Sequence, residues 1–255
     1  MHTQLMTRTL VGASVALACA GAQAAPFFWT DWTGSDVDPG PGFSALGTIT
    51  TTTATVDVTY TNANGVGFYQ PSGGTDYYTN TGPGSSPYVS SLVDNHPTGT
   101  DIIALSHAGT QQLQFSEAIA NPVFAFVSLN GNGYAFDRDF DILSVGGEGG
   151  HACGYWGCGG VSKVVVDLGG GNFEYQLNSN NVGGLEPHGT LQFKGAFDTV
   201  TWRSSSNEFW NGFTVGVQGT AIEVPTNPIP EPSTVALFGL GLAALSFTRK
   251  RRKAR

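Results

Sequence analysis

Basic residues are what this chain lacks between its ends. Of 11 lysines and arginines in 255 residues, only Arg138, Lys163, Lys194 and Arg203 lie outside the leader and the last seven positions. All 19 acidic residues fall between those ends, giving the stretch a formal charge of about −15 against −8 for the whole chain. So few cations cannot displace counterions from a polyanion, which argues against nucleic acid as a partner. The same imbalance suits a secreted protein kept soluble by one sign of charge. Three cysteines are too few for a disulfide-framework miniprotein. Long helical periodicity is absent. So are a G-x-S-x-G elbow, an H-E-x-x-H helix and a phosphate-cradling loop ending in Lys and Ser/Thr.

What is present concentrates at the two ends. Met1–Ala25 has Arg8 in its leader, the apolar stretch Leu10–Ala18 and then Ala22-Gln23-Ala24. This is the form of a secretory signal peptide, cut after Ala24 or Ala25. Acylation of Cys19 is the weaker alternative, because Ala16 stands where lipoprotein signals usually carry a larger aliphatic. At the other end, Pro228-Ile229-Pro230-Glu231-Pro232 forms a stiff, extended segment. The uncharged run Val235–Phe247 follows, suited to a short lipid-buried helix, and then the cationic Arg249–Arg255, which resists crossing a membrane.

In order and spacing this tail resembles the PEP-CTERM sorting signal of exported bacterial proteins. Pro230, Glu231 and Pro232 carry the motif, with the hydrophobic span and the arginine-rich end behind them. The resemblance implies an exosortase-type enzyme that cuts near the motif and releases or re-anchors the exported part. It also implies transient residence in the inner membrane, then the cell envelope, the surface or an extracellular polysaccharide matrix. Phe115–Phe126, His188–Gly195 and Trp210–Gly216 are similar to strand segments of exported PEP-CTERM proteins, a likeness that implies no activity.

The chain thus divides into a signal peptide (1–25), an exported domain (26–224), a Pro-rich linker with the motif (225–234), a membrane-spanning sorting helix (235–248) and a basic cytoplasmic tail (249–255). Strand periodicity fills the exported domain. Thr48–Tyr60 is rich in β-branched residues and alternates at Val56, Val58 and Tyr60. Further strands are expected at 101–106, 111–115, 122–129, 134–145, 163–168, 173–177, 189–195, 199–203 and 212–219. Pro71–Pro97 reads as long loops. Many short strands separated by Gly-rich turns predict an all-β fold, an antiparallel β-sandwich that is jelly-roll-like.

Three constellations are candidates for chemistry. Cys153 and Cys158 survive export and are expected to form a disulfide that pins a glycine-rich turn with Tyr155 and Trp156 at its tip. Asp137, Asp139 and Asp141 share one face of an extended strand and make a candidate Ca²⁺ site; no other cofactor is expected. Trp156 and Trp210, beside Asn207, Glu208 and Asn211, are candidates for holding sugar faces, although aromatic residues mostly fill cores. His96, His107, His151 and His188 are scattered. Glu186 with His188 becomes an acid/base pair only if the fold assembles it.

The expectation is an exported, non-enzymatic envelope or matrix protein, structural or adhesive, with weak glycan or calcium contact. The alternative is a secreted glycan hydrolase on the same scaffold.

Overall fold

A computed structural model describes residues 26–35, 38–180 and 186–224; the signal peptide, the linker, the sorting helix and the basic tail lie outside the described residues. Fifteen strands and no helix occupy the described residues. The first are β1 (Phe28–Trp29), β2 (Asp31–Ser35), β3 (Phe43–Thr50), β4 (Thr55–Asn62) and β5 (Phe68–Gln70). Next come β6 (Ile102–Leu105), β7 (Gly109–Ala120), β8 (Val123–Val127), β9 (Gly133–Phe136) and β10 (Phe140–Val145). The last are β11 (Val161–Gly169), β12 (Asn172–Ser179), β13 (Gly189–Phe193), β14 (Ala196–Ser204) and β15 (Asn211–Val217).

All pairings between these strands are antiparallel, and they build two sheets. One sheet has the order β10-β13-β8-β15-β6-β5, with β1 also on β15; the other has the order β11-β12-β9-β14-β7-β4-β3-β2. Their inner faces meet in an aromatic core. Phe124 of β8 stacks on its neighbour Phe213 at 4.8 Å and meets Trp202 of the opposite sheet edge-on at 5.7 Å. Phe213 meets Tyr60 of that sheet at 5.3 Å. Burial of such rings, each covering 150–250 Å², supplies the main drive for two sheets to close on each other.

Two expected strands are divided in the structure. Thr48–Tyr60 is a hairpin, because Thr51 closes a turn through Ala54 and so ends β3 and starts β4. Tyr134–Val145 is broken at Asp137–Asp139, where the chain leaves β9 in one sheet and enters β10 in the other. The segment 71–97 contains no named strand, as expected of loops. It nonetheless contributes to a second core, in which Tyr78, Tyr88 and Val93 are buried with Trp29, Ile102 and Val127.

The described chain ends on a clip. Glu223 accepts hydrogen bonds from Thr51 Oγ1 (2.8 Å), Thr53 N (3.0 Å), Thr53 Oγ1 (2.5 Å) and Thr220 N (2.8 Å). These donors, Thr53 first, pull its pKa down to about 2. A depressed carboxylate stabilises the fold fully above its unfolded value near 4.5, and the contribution disappears as pH falls towards 2. Glu223→Gln is therefore expected to melt lower than the parent at pH 7 and at the same temperature near pH 2. Thermal melts at both pH values check it.

Candidate functional site

The antiparallel order β13-β8-β15 makes one end of its sheet a meeting point. β8 finishes there, and both of its neighbours begin there. Residues just after β8 (Ser128, Asn130), just before β13 (Glu186) and just before β15 (Glu208, Phe209, Trp210) must then gather at this end. Together with Trp156 they line a cleft of about 230 Å³.

Trp156 arrives on the loop between β10 and β11. Cys153 and Cys158 are paired in the structure with Cα atoms 4.6 Å apart. Inside the loop, Gly154 and Gly157 exchange backbone hydrogen bonds of 2.9 and 3.2 Å. The loop is tied to the cleft by Glu186 N–H, which donates to the Cys158 carbonyl at 3.0 Å. Gly154 lies so close to the buried His188 ring that a Cβ there would overlap it. Only glycine lets the loop settle at this depth.

A row of rings joins the two tryptophans. Trp210 meets Phe68 at 5.2 Å and Tyr77 at 5.0 Å; Tyr77 meets Tyr155 at 5.2 Å; Tyr155 meets Trp156 at 4.8 Å, all edge-on. Trp156 remains 54 % exposed and Phe209 93 %, so apolar surface is offered to solvent at the rim. Trp210 is half-buried. Trp202, another ring beside the same turns in sequence, is 1 % exposed and belongs to the core.

Two carboxyl groups lie at the cleft in different surroundings. Glu186 accepts hydrogen bonds from Ser128 Oγ and, at 3.1 Å, from Asn130 Nδ2. Ser128 presents that hydroxyl from a left-handed backbone conformation (φ 59°), uncommon for a residue with a side chain and a form of strain found at functional sites. Glu208 has no such donors: both carboxyl oxygens are sealed from solvent and unbonded. Burial, with repulsion from Glu186 added, pushes its pKa up to about 8. Asn211 moderates the rise, but its Nδ2 makes no well-formed hydrogen bond; its Oδ1 accepts a hydrogen bond from the Tyr134 hydroxyl.

His188 takes no part in the cleft. It is fully buried, bonded through Nδ1 to the Tyr88 hydroxyl at 2.9 Å, and burial lowers its pKa to about 3. The pair formed with Glu186 in sequence is thus split between cleft and core.

Asp137, Asp139 and Asp141 do not line one strand face, since the strand breaks beneath them and only Asp141 remains in β10. Lysines already occupy two of them. Lys163 and Lys194 (3.2 Å) both bind Asp139, and Lys194 also binds Asp141 at 2.9 Å. Burial would raise Asp139, but these ammonium groups outweigh it and hold its carboxyl below the usual range. Asp137 accepts Thr201 N–H at 3.0 Å, with Arg138 3.9 Å away. No group of three or more potential metal ligands occurs among the described residues.

Sequence reasoning groups Trp156, Trp210 and Glu208 as sugar contacts and pairs Glu186 with His188 instead. Ser128 and Asn130 gave no signal beyond lying at a strand end and in a turn.

Residues 228–252 match the family model of the PEP-CTERM protein-sorting motif, so the chain carries the sorting signal of an exported protein handled by an exosortase-type enzyme. No curated protein and no solved structure matches the chain.

Proposed function

We propose that this chain, which bears a PEP-CTERM sorting signal, is a non-catalytic envelope or extracellular-matrix protein that adheres to glycans through the Trp156–Trp210 cleft. The observation that carries the reading is the convergence of two part-exposed indoles, from loops over fifty residues apart, on one cleft with polar groups between them. Indole faces bury the apolar C–H face of a pyranose, while the carboxylate and amide between them accept and donate to its hydroxyls. The cleft is smaller than the usual drug-sized site and suits one sugar ring. Passage through an oxidising compartment would keep Cys153 joined to Cys158 and Trp156 in place.

A hydrolase reading is less well supported. A general acid must reach the glycosidic oxygen, and the Glu208 oxygens have no free surface. Calcium is left out of the proposal, because Lys163 and Lys194 would have to be displaced first.

The test is retention on insoluble polysaccharides, with reducing ends assayed in the supernatant. Retention without new reducing ends is expected. Trp156→Ala and Trp210→Ala should each weaken it by about tenfold, the effect of losing roughly 1.4 kcal/mol of aromatic contact. Retention unchanged in both variants would move binding elsewhere, and released reducing ends would favour the hydrolase.

A further inference from the structure

Every lysine and arginine of the described residues is committed away from the cleft. Arg138 lies beside Asp137, Lys163 and Lys194 hold Asp139 and Asp141, and Arg203 holds Glu174 at 3.1 Å. Glu186 and Glu208 therefore share a cleft with no cation of the described chain beside them. Glu186 is served by two neutral donors. Glu208 has none, and its oxygens sit unbonded under the aromatic rim.

From this we propose that the cleft selects sugars carrying a free amino group, the ammonium supplying the counter-charge that Glu186 and Glu208 lack. The inference rests on the glycan reading above and narrows it to a ligand class.

An ammonium satisfies three features of the site together. Its N–H groups pair with the carboxyl oxygens of Glu186, and such charge-assisted bonds are about twice as strong as neutral ones. The indole faces of Trp156 and Trp210 attract cations through the ring quadrupole. Its charge also opposes the Glu186–Glu208 repulsion that helps keep Glu208 protonated. An N-acetyl group offers none of this, since acetylation removes the charge. An acidic sugar would be repelled.

Calorimetry on the full-length chain in mild detergent tests the proposal, with β-1,4-linked glucosamine tetramer, its N-acetylated counterpart and a neutral glucan tetramer as ligands. The glucosamine tetramer should bind best. Glu186→Gln should weaken it about tenfold, whereas Asp167→Asn, the same charge change on the distant β11, should leave it within twofold. Binding should also expel the Glu208 proton, seen as an enthalpy that varies with the buffer's ionisation heat and vanishes in Glu208→Gln.

Equal binding of all three tetramers, abolished by Trp210→Ala, would overturn the amino-sugar inference and leave the glycan reading standing. Binding of none would end both. Equal losses in Glu186→Gln and Asp167→Asn would assign the affinity to overall charge and overturn the inference.

Discussion

Glu208→Gln is expected to remove most of the pH dependence of stability between pH 6 and 8. The folded protein holds the Glu208 proton until about pH 8, whereas the unfolded chain releases it near 4.5. Across that interval the native state binds more protons than the unfolded state, so stability falls as pH rises and levels off above 8. A shift of this size corresponds to a few kcal/mol once partial solvent access is allowed for. In a domain of this length that is on the order of 10 °C in the melting midpoint. Asp101, pushed up to about 6 chiefly by burial, contributes a similar slope only below that pH. Buried His188 adds an opposite slope up to about pH 7, but it is common to parent and variant, so their difference between pH 6 and 8 isolates Glu208. Glutamine matches the shape of the protonated acid, so parent and variant should melt together near pH 4 and separate progressively towards pH 8, with the variant higher. Parallel curves across the range would mean that Glu208 is not buried as described.

Much of the fold could be read from the chain, for a simple reason. Strands such as β4, β7 and β14 bury one face and alternate accordingly, as Val56, Val58 and Tyr60 do. Three strands escaped notice. β1 and β5 are only two and three residues long, and β2, Asp-Trp-Thr-Gly-Ser, has a register shift and no β-branched run. Alternation cannot be recognised over so short a span. The turn at Thr51–Ala54 was hidden for the opposite reason: threonine suits both a strand and a side-chain-closed turn, so the boundary leaves no compositional mark. Trp202 and Trp210, eight residues apart, look alike in sequence. One lies in β14 facing Phe124 and the other lies just before β15, a difference fixed by which residues enter a strand.

The cleft itself was legible only in pieces. Positions 128, 156, 186 and 208 become neighbours because β13 and β15 flank β8 antiparallel, and local pattern does not specify strand order. The aspartate group shows the converse. Its spacing implied one shared face, but the crossover between sheets at Asp137–Asp139 turned the chain and left Lys163 and Lys194 to take the charges. Spacing in sequence decides geometry only while the element continues.

Replacing Pro230, Glu231 and Pro232 together by alanine is expected to abolish processing altogether, the largest effect any change to this chain should have on its location. The motif matched at residues 228–252 is what an exosortase-type enzyme reads. Proline fixes φ and lacks a backbone N–H, so it opposes both helix and sheet. Alanine removes that constraint and favours helix, allowing the apolar run to extend backwards. A helix as long as the 13-residue uncharged run Val235–Phe247 rises about 20 Å, short of a hydrocarbon core of ~30 Å. Retention would then lean on the basic residues of Arg249–Arg255, since long cationic side chains can reach headgroups while their charges resist crossing. With the motif intact, cell fractionation should recover a shortened protein beyond the inner membrane. With it replaced, the full-length chain should accumulate in the inner-membrane fraction, its tail still detectable by mass. Replacing the six tail cations by serine should instead weaken retention before cutting, so that uncut chain leaves the membrane. Clipping at an unchanged rate in the alanine variant would show that the enzyme reads the apolar span and the cations alone.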